Sequence, residues 1–70
     1  MKRTPVKSTD IVSLGYDKEV NILEVEFRRE SIYQYANIPE NVFKELMSAD
    51  SIGTYFNSHI RDQYPNSQVS

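Results

Sequence analysis

Tyr33 and Tyr35, in the stretch SIYQYANIP over residues 31–39, are the clearest candidates for binding chemistry in this chain. Side chains two residues apart on a strand share one face, so the two rings could form a platform on which unpaired bases stack. The same rings could instead fill the core with their hydroxyl groups at its rim, each contributing roughly 1.5–3 kcal/mol of burial. That gain is large for a small domain, and the sequence therefore favours the core interpretation.

A second candidate is a phosphate-binding turn at the start of the last predicted helix. Ser51 and Gly53 lie in its first turn, where unpaired backbone N–H groups could hold a phosphate. Asn57 follows one turn later and could join such a site or face solvent. The structural alternative, which the residue types favour, is that Ser51 caps the helix and Gly53 allows it to pack closely on a strand.

Nucleic-acid binding would also need positive charge. Arg28 and Arg29 are predicted to share a hairpin tip, and Arg61 ends the last helix. The other cations considered are Lys2, Arg3 and Lys7, and the tyrosines that could stack if exposed are Tyr16, Tyr35 and Tyr55. The net charge is −2, and phosphates would be repelled by Glu24, Glu26, Glu30, Glu40 and Glu45. Charge alone therefore does not predict an RNA partner.

Catalytic chemistry finds little support in the residue types. The chain has no cysteine and a single histidine, His59, which excludes disulfides, a cysteine nucleophile and a histidine metal cluster. Ser58 precedes His59, but neighbours on a helix point about 100° apart and cannot act as nucleophile and base. Glu24 and Glu26 share a strand face too open to desolvate either carboxylate. We expect a non-enzymatic protein without metal or cofactor.

The elements that must position these residues fit into one small domain. Seventy residues bury only about 60% of the surface that the unfolded chain exposes, so apolar packing must hold the fold. Residues 1–8 are expected to form a flexible arm, 9–64 the domain, and 65–70 a disordered tail. No apolar run reaches the length of a signal peptide or membrane span, which predicts a cytoplasmic protein without membrane contact.

Three strands and two helices are expected, in the order β-β-β-α-α. The stretches DIVSLGYD, NILEVEF and IYQYANI have strand composition, and Asn21 is suited to a left-handed backbone angle between the first two. Pro39 and Glu40 suit a helix start, and Asp50 or Ser51 can cap a second helix. The predicted fold class is α+β, a three-stranded antiparallel meander with both helices on one face.

The second hairpin decides where the tyrosines point. A three-residue loop of Arg28, Arg29 and Glu30 pairs Phe27 with Ser31, which predicts the further pairs Val25–Tyr33 and Leu23–Tyr35. Both rings then join the apolar face, whereas a four-residue loop would turn them to the acidic face. The three-residue loop is favoured, although a left-handed Glu30 costs about 1 kcal/mol.

With these elements in place, the chain resembles the KTSC domain family over about residues 8–65. The shared features are the Gly15-Tyr16-Asp17 turn, the Tyr33/Tyr35 pair, Ile38-Pro39 and the run SIGTYFN over 51–57. Members occur at the C-terminus of some lysyl-tRNA synthetases and as stand-alone bacterial and phage-type proteins. The resemblance implies no established activity, and RNA binding is suggested by that association. Members tend to carry glycine where Glu30 stands, which agrees with the three-residue loop.

Two functions remain open from the sequence. The first is RNA binding, following the resemblance, through the tyrosines, arginines and helix start already named. The second is a protein-interaction module or a homodimer that uses an edge strand or the uncovered sheet face. That face is expected to carry Ile22, Glu24, Glu26, Ile32 and Gln34, together with Leu14 or Tyr16.

Overall fold

A five-stranded antiparallel sheet, in the order β1-β2-β3-β4-β5, organises the computed structural model, which describes residues 1–70. The strands are β1 (Thr4–Pro5), β2 (Ile11–Asp17), β3 (Ile22–Phe27), β4 (Ile32–Tyr35) and β5 (Asn66–Gln68). Two helices, α1 (Glu40–Ser48) and α2 (Ile52–His59), connect β4 to β5. Neither helix has the length or the apolar run that a membrane span requires.

The β3–β4 hairpin has the predicted register. Val25 pairs with Tyr33 and Leu23 with Tyr35, and the Phe27 amide donates to the Ser31 carbonyl at 2.8 Å. The Glu30 amide donates to the Phe27 carbonyl at 3.0 Å, closing the turn, and Glu30 has a φ of 66°. The three-residue loop with a left-handed third residue is therefore confirmed.

The core lies between the sheet and the two helices, as the apolar pattern indicated. Its nine buried residues are Ile11, Leu14, Leu23, Val25, Tyr35, Ile38, Leu46, Phe56 and Ile60. Pro39 is the N-cap of α1, and the Ser51 hydroxyl caps α2 by accepting a hydrogen bond from the Thr54 amide at 3.3 Å. The α+β class and the single helix-covered face are confirmed.

The expected number of strands was wrong, because both chain ends join the sheet. Thr4 and Pro5 pair with β2, and residues 66–68 pair with β4. The C-terminal strand exposes all three of its side chains and is held by backbone bonds such as Val69 N–H to the Ile32 carbonyl, 2.8 Å. Backbone pairing needs no apolar pattern, so the side chains of these two segments do not indicate a strand.

The first hairpin also corrects the composition of the uncovered face. Four residues, 18–21, connect β2 to β3, so Leu14 pairs with Val25 and Tyr16 with Leu23. Leu14 and Tyr16 therefore lie on the apolar face and not on the open one. Asn21, with a φ of 57°, has the predicted left-handed backbone.

Residues 1–3 cross the open face directly over Gly15. A Cβ atom at this glycine would lie 2.8 Å from the Lys2 carbonyl oxygen and 3.0 Å from the Arg3 Cγ. Gly15 is thus a strand residue whose missing side chain allows the N-terminal arm to lie flat on the sheet.

Replacing Gly15 should therefore detach this arm. We expect Gly15→Ala to lower the free energy of unfolding by about 1–3 kcal/mol, because backbone atoms must move to accept the methyl group. Urea denaturation measures the loss, and Gly53→Ala is the matched control, since its Cβ would meet only the Ser8 Oγ at 3.3 Å. Equal stability of Gly15→Ala and the unmodified chain would contradict this packing.

Candidate functional site

A groove of about 590 Å³ lies beside the tip of the β3–β4 hairpin, between that tip, α2 and the segment before β2. It is lined by Thr9, Asp10, Ile11, Phe27, Arg28, Arg29, Tyr33, Tyr35, Gly53, Phe56, Asn57, Arg61, Asp62 and Asn66. Seven of the nine predicted site residues are in this lining, and only Ser51 and Tyr55 are outside it. The predicted site residues in this lining come from the hairpin, the helix and the turn after the helix. Because these segments are far apart in the sequence, the sequence does not show that they line one groove.

Three arginines lie around the groove and differ in how many of their N–H groups are hydrogen-bonded within the protein. Arg28 donates from Nε to the Thr9 carbonyl at 2.9 Å and from Nη2 to the Ser8 carbonyl at 3.0 Å. Arg29 donates from Nε to the Ser31 hydroxyl at 3.1 Å, with its guanidinium 5.0 Å from the centre of the Phe27 ring. Arg61 makes one long bond, 3.4 Å, to the Asn57 Oδ1. Arg29 and Arg61 therefore keep most of their N–H donors free.

No carboxylate lies within ion-pairing distance of these three arginines. The ion pairs of the protein are Arg3–Glu24, Arg3–Glu26 and Lys44–Glu40, all elsewhere. Asp10 and Asp62 line the groove without forming an ion pair, so its lining carries three positive and two negative side chains. A small excess of positive charge is left for an anion.

Aromatic rings form the floor of the groove. Tyr35 meets Phe56 edge to face at 5.2 Å between ring centres, and Phe27 meets Phe56 and Tyr33 at 5.7 Å each. Tyr35 is only 4% exposed, so its ring has no free face for a base, and its interpretation as a core residue is confirmed. Tyr33 is half-buried and keeps part of its ring accessible.

The hydroxyl group of Tyr35 is the unusual feature of this floor. It has no hydrogen-bond partner within the protein, and its oxygen is not sealed from solvent. Burial raises the pKa of Tyr35, and the opposing charges of Arg61 and Arg29 do not cancel that effect. The group therefore stays protonated at neutral pH and offers a hydrogen-bond donor to the groove.

The remaining predicted residues have structural partners. Ser51 is occupied as the helix cap, as the structural alternative held. Gly53 lines the groove and lies against the Ser8 side chain in the segment before β2, not against a strand. The Tyr55 hydroxyl donates to the Glu45 carboxylate at 3.0 Å; burial and then this bond raise the pKa of Tyr55. Tyr16 stacks on Phe43 at 4.8 Å and donates to the Ile38 carbonyl at 2.6 Å.

Four polar groove residues were missed by sequence reasoning: Thr9, Asp10, Asp62 and Asn66. Asn66 lies in the segment expected to be a disordered tail, where no side-chain pattern indicates a strand. Asp62 follows Arg61 in the turn after α2, and a single aspartate in such a turn carries no signal that it faces a groove.

The opposite face of the sheet carries a closed polar network. Arg3 binds the Glu24 carboxylate and donates from Nε to the Ser13 hydroxyl at 3.1 Å. Ser13 donates to Glu26 at 2.8 Å, and Gln34 donates to Glu24 at 2.8 Å. Burial raises the pKa of Glu24, but the bonds from Gln34 and Arg3 and the charge of Arg3 outweigh it and leave that pKa lowered.

This network leaves the uncovered face polar and internally satisfied. Large apolar side chains are exposed only at Met1, Val20 and Val69, which lie apart along the chain. Ile22 and Ile32, expected to form an apolar partner surface, are each half-buried. No cluster of three or more His, Asp or Glu side chains is placed to hold a metal ion.

The fold and groove define a small α+β domain with an arginine-lined polar groove, and comparison with known proteins gives its family. The KTSC domain family model matches residues 7–64, and the chain belongs to that family. A crystal structure of a KTSC domain protein from Yersinia pestis is 36% identical, with a TM-score of 0.96 over 99% of this chain and 97% of that one.

Two further relatives show the contexts in which such a chain occurs. An uncharacterized protein of Stutzerimonas stutzeri is 44% identical over 64 residues, or 91% of this chain and 90% of that protein. A lysine–tRNA ligase of Nostoc punctiforme is 32% identical over 60 residues, covering 86% of this chain but 11% of the ligase. The similarity therefore concerns one small part of the ligase.

Two substitutions separate the roles of the Tyr35 ring and hydroxyl. We expect Tyr35→Ala to lower the free energy of unfolding by about 3–5 kcal/mol, since it leaves a cavity among Leu23, Phe56 and their neighbours. Tyr35→Phe should change it by less than about 0.5 kcal/mol, because the hydroxyl has no protein partner to lose. Urea denaturation measures both values, and a large loss in Tyr35→Phe would show that the hydroxyl is a structural group.

The lowered pKa of Glu24 predicts an acid-dependent contribution to stability. A carboxylate whose folded pKa lies below its unfolded value stabilises the fold above the unfolded pKa, and the contribution is lost as pH falls through the folded pKa. We expect Glu24→Gln to cost about 1–3 kcal/mol at neutral pH, since it removes the closer of the two carboxylates that pair with Arg3. Urea midpoints measured from pH 7 to pH 3 should show the two proteins converging in acid, whereas a constant gap would contradict the assignment.

Proposed function

We propose that this protein is a non-enzymatic RNA-binding domain that acts in the cytoplasm and uses the arginine-lined groove to contact the phosphate backbone. The observation that carries the proposal is the convergence of Arg28, Arg29 and Arg61 on one groove with no carboxylate within 4.0 Å of any of them. Arginines are usually paired or freely solvated, and a converging unpaired set is typical of phosphate recognition.

The rest of the groove fits the same ligand class. Its volume of about 590 Å³ lies within the range of small-ligand sites and can accept a nucleotide unit. The accessible part of the Tyr33 ring offers one surface for a base, and Asn57 and Asn66 offer amide groups. Relatives named lysine–tRNA ligase contain a domain of this family, which supports an RNA partner.

The overall negative charge weakens this proposal less than the sequence suggested. Glu24 and Glu26 are engaged on the opposite face of the sheet, and Glu45 is bound to Tyr55. The carboxylates at the groove itself are Asp10 and Asp62. We therefore expect modest affinity with a clear salt dependence, set by a local positive site on a mildly acidic protein.

A protein-interaction module is the competing proposal, through the open face, an edge strand or self-association. The polar network over Glu24 and the lack of an exposed apolar cluster give it no specific support. The binding test described next distinguishes this protein-interaction module from an RNA-binding domain.

The test is fluorescence anisotropy of a labelled single-stranded RNA of about ten nucleotides, titrated with the full chain. We expect binding that weakens as salt rises, because each phosphate contact releases counterions. Arg61→Ala should weaken binding about 5- to 10-fold, since a hydrogen-bonded charge contact is lost.

Lys18→Ala is the matched control, because it removes one positive charge from the β2–β3 turn, at the far end of β3 from the groove. It should change affinity less than about 2-fold. Absence of salt-dependent binding, or equal losses in both variants, would refute the groove as an RNA site. Self-association seen by analytical ultracentrifugation, with no RNA binding, would favour the competing proposal.

A further inference from the structure

The groove contains an anchored arginine, two arginines with free N–H groups and a tyrosine hydroxyl, and these hydrogen-bond donors differ in their availability to a ligand. Arg28 is anchored by two backbone carbonyls and fixes the hairpin tip to residues 8–9, so it supplies charge more than direct contacts. Arg29 and Arg61 keep free N–H groups on separate elements. The Tyr35 hydroxyl adds a neutral donor from the floor, where the buried ring fixes its position.

The ring of Tyr35 belongs to the core, but its hydroxyl reaches the groove at the core rim, where the protein supplies no hydrogen-bond partner. A phenylalanine would make the same ring contacts with Phe56 and would avoid placing an unpartnered polar atom at the rim. Polar groups without a protein partner at the edge of a core cost stability unless water or a ligand binds them. Arg29, Arg61 and Tyr35 all line the groove, so the three donors lie around a common space.

The charge of the lining limits what can be bound there. Three arginines and two aspartates leave a net charge of about one positive unit at neutral pH. An internal phosphodiester carries one negative charge, whereas a terminal phosphate carries about −1.5 to −2 at pH 7. A phosphodiester would neutralise this net charge. A terminal phosphate would leave excess negative charge beside Asp10 and Asp62 and would lose more hydration on entering the groove, which favours the phosphodiester.

We propose that the groove is a subsite for one internal phosphodiester, held by Arg29, Arg61 and the Tyr35 hydroxyl, which selects phosphate within a chain over phosphate at a chain end. The inference rests on the proposed RNA-binding function and specifies its contact. Tyr35 then has two separate roles, with its ring in the core and its hydroxyl on the ligand.

The experiment compares two small probes with the full chain at pH 7.5, by NMR chemical-shift titration. One probe is the dinucleoside monophosphate UpU, with a single internal phosphodiester, and the other is uridine 5′-monophosphate. We expect UpU to bind more tightly than the monophosphate by about 3-fold or more, with shifts centred on the groove. Equal affinity, or tighter binding of the monophosphate, would overturn the proposal.

Two variants test the named groups. Tyr35→Phe should weaken UpU about 10-fold, the value of a hydrogen bond to a charged group, while its urea midpoint stays unchanged. Asp62→Asn removes one negative charge and should shift the preference toward the monophosphate. Unchanged UpU affinity in Tyr35→Phe would remove the hydroxyl from the site, and Lys18→Ala again controls for total charge.

The outcomes also separate this inference from the function on which it rests. If the ten-nucleotide RNA binds but UpU does not, RNA binding stands and the single-phosphodiester subsite is refuted. If UpU binds with the expected preference and the longer RNA does not, the subsite stands and the RNA-binding function is refuted.

Discussion

The turn of Arg28, Arg29 and Glu30 is the constraint on which the other features of this domain depend. A loop of three residues, closed by a left-handed Glu30, fixes Leu23 opposite Tyr35. Side chains alternate between faces at each residue, so a loop one residue longer would move both strand-β4 tyrosines to the face of Glu24 and Glu26. The core would lose its largest β4 ring and the groove would lose its floor, which outweighs the roughly 1 kcal/mol cost of the left-handed glutamate.

The central part of the fold could be predicted because its signals are local. The alternation in NILEVEF shows a sheet with one apolar face, Pro39 and Ser51 mark helix starts, and asparagine at position 21 suits a left-handed angle. The two outer strands could not be predicted, because Thr4–Pro5 and Asn66–Gln68 are held by backbone bonds and bury none of their side chains. The polar network that lies over the open face could not be predicted either, because it joins residues distant in sequence. Arg3 and Glu24, for example, are 21 positions apart.

The candidate site could be predicted in its residue types and only partly in its geometry. The sequence shows two adjacent arginines at a hairpin tip and a third at a helix end. Whether the three line one groove depends on how α2 packs against the sheet. That packing depends on Phe56, which contacts both Phe27 and Tyr35 and so holds the helix beside the hairpin tip. Asp62 and Asn66 enter the groove only as a result of this packing, which is why their types alone give no indication of a site.

Arginines in this domain are either paired with carboxylates or bound only to neutral groups. This difference explains how a protein of negative net charge can have a positive groove. On the open face Arg3 lies among two glutamates and a serine, and its charge is fully compensated there. At the groove Arg29 and Arg61 have only neutral partners, a serine hydroxyl and an asparagine amide. Asp10 and Asp62 line the same groove, yet neither forms an ion pair with Arg29 or Arg61. Their separation from those carboxylates keeps a local positive potential that the net charge of −2 conceals, and this is the property that an anionic ligand would use.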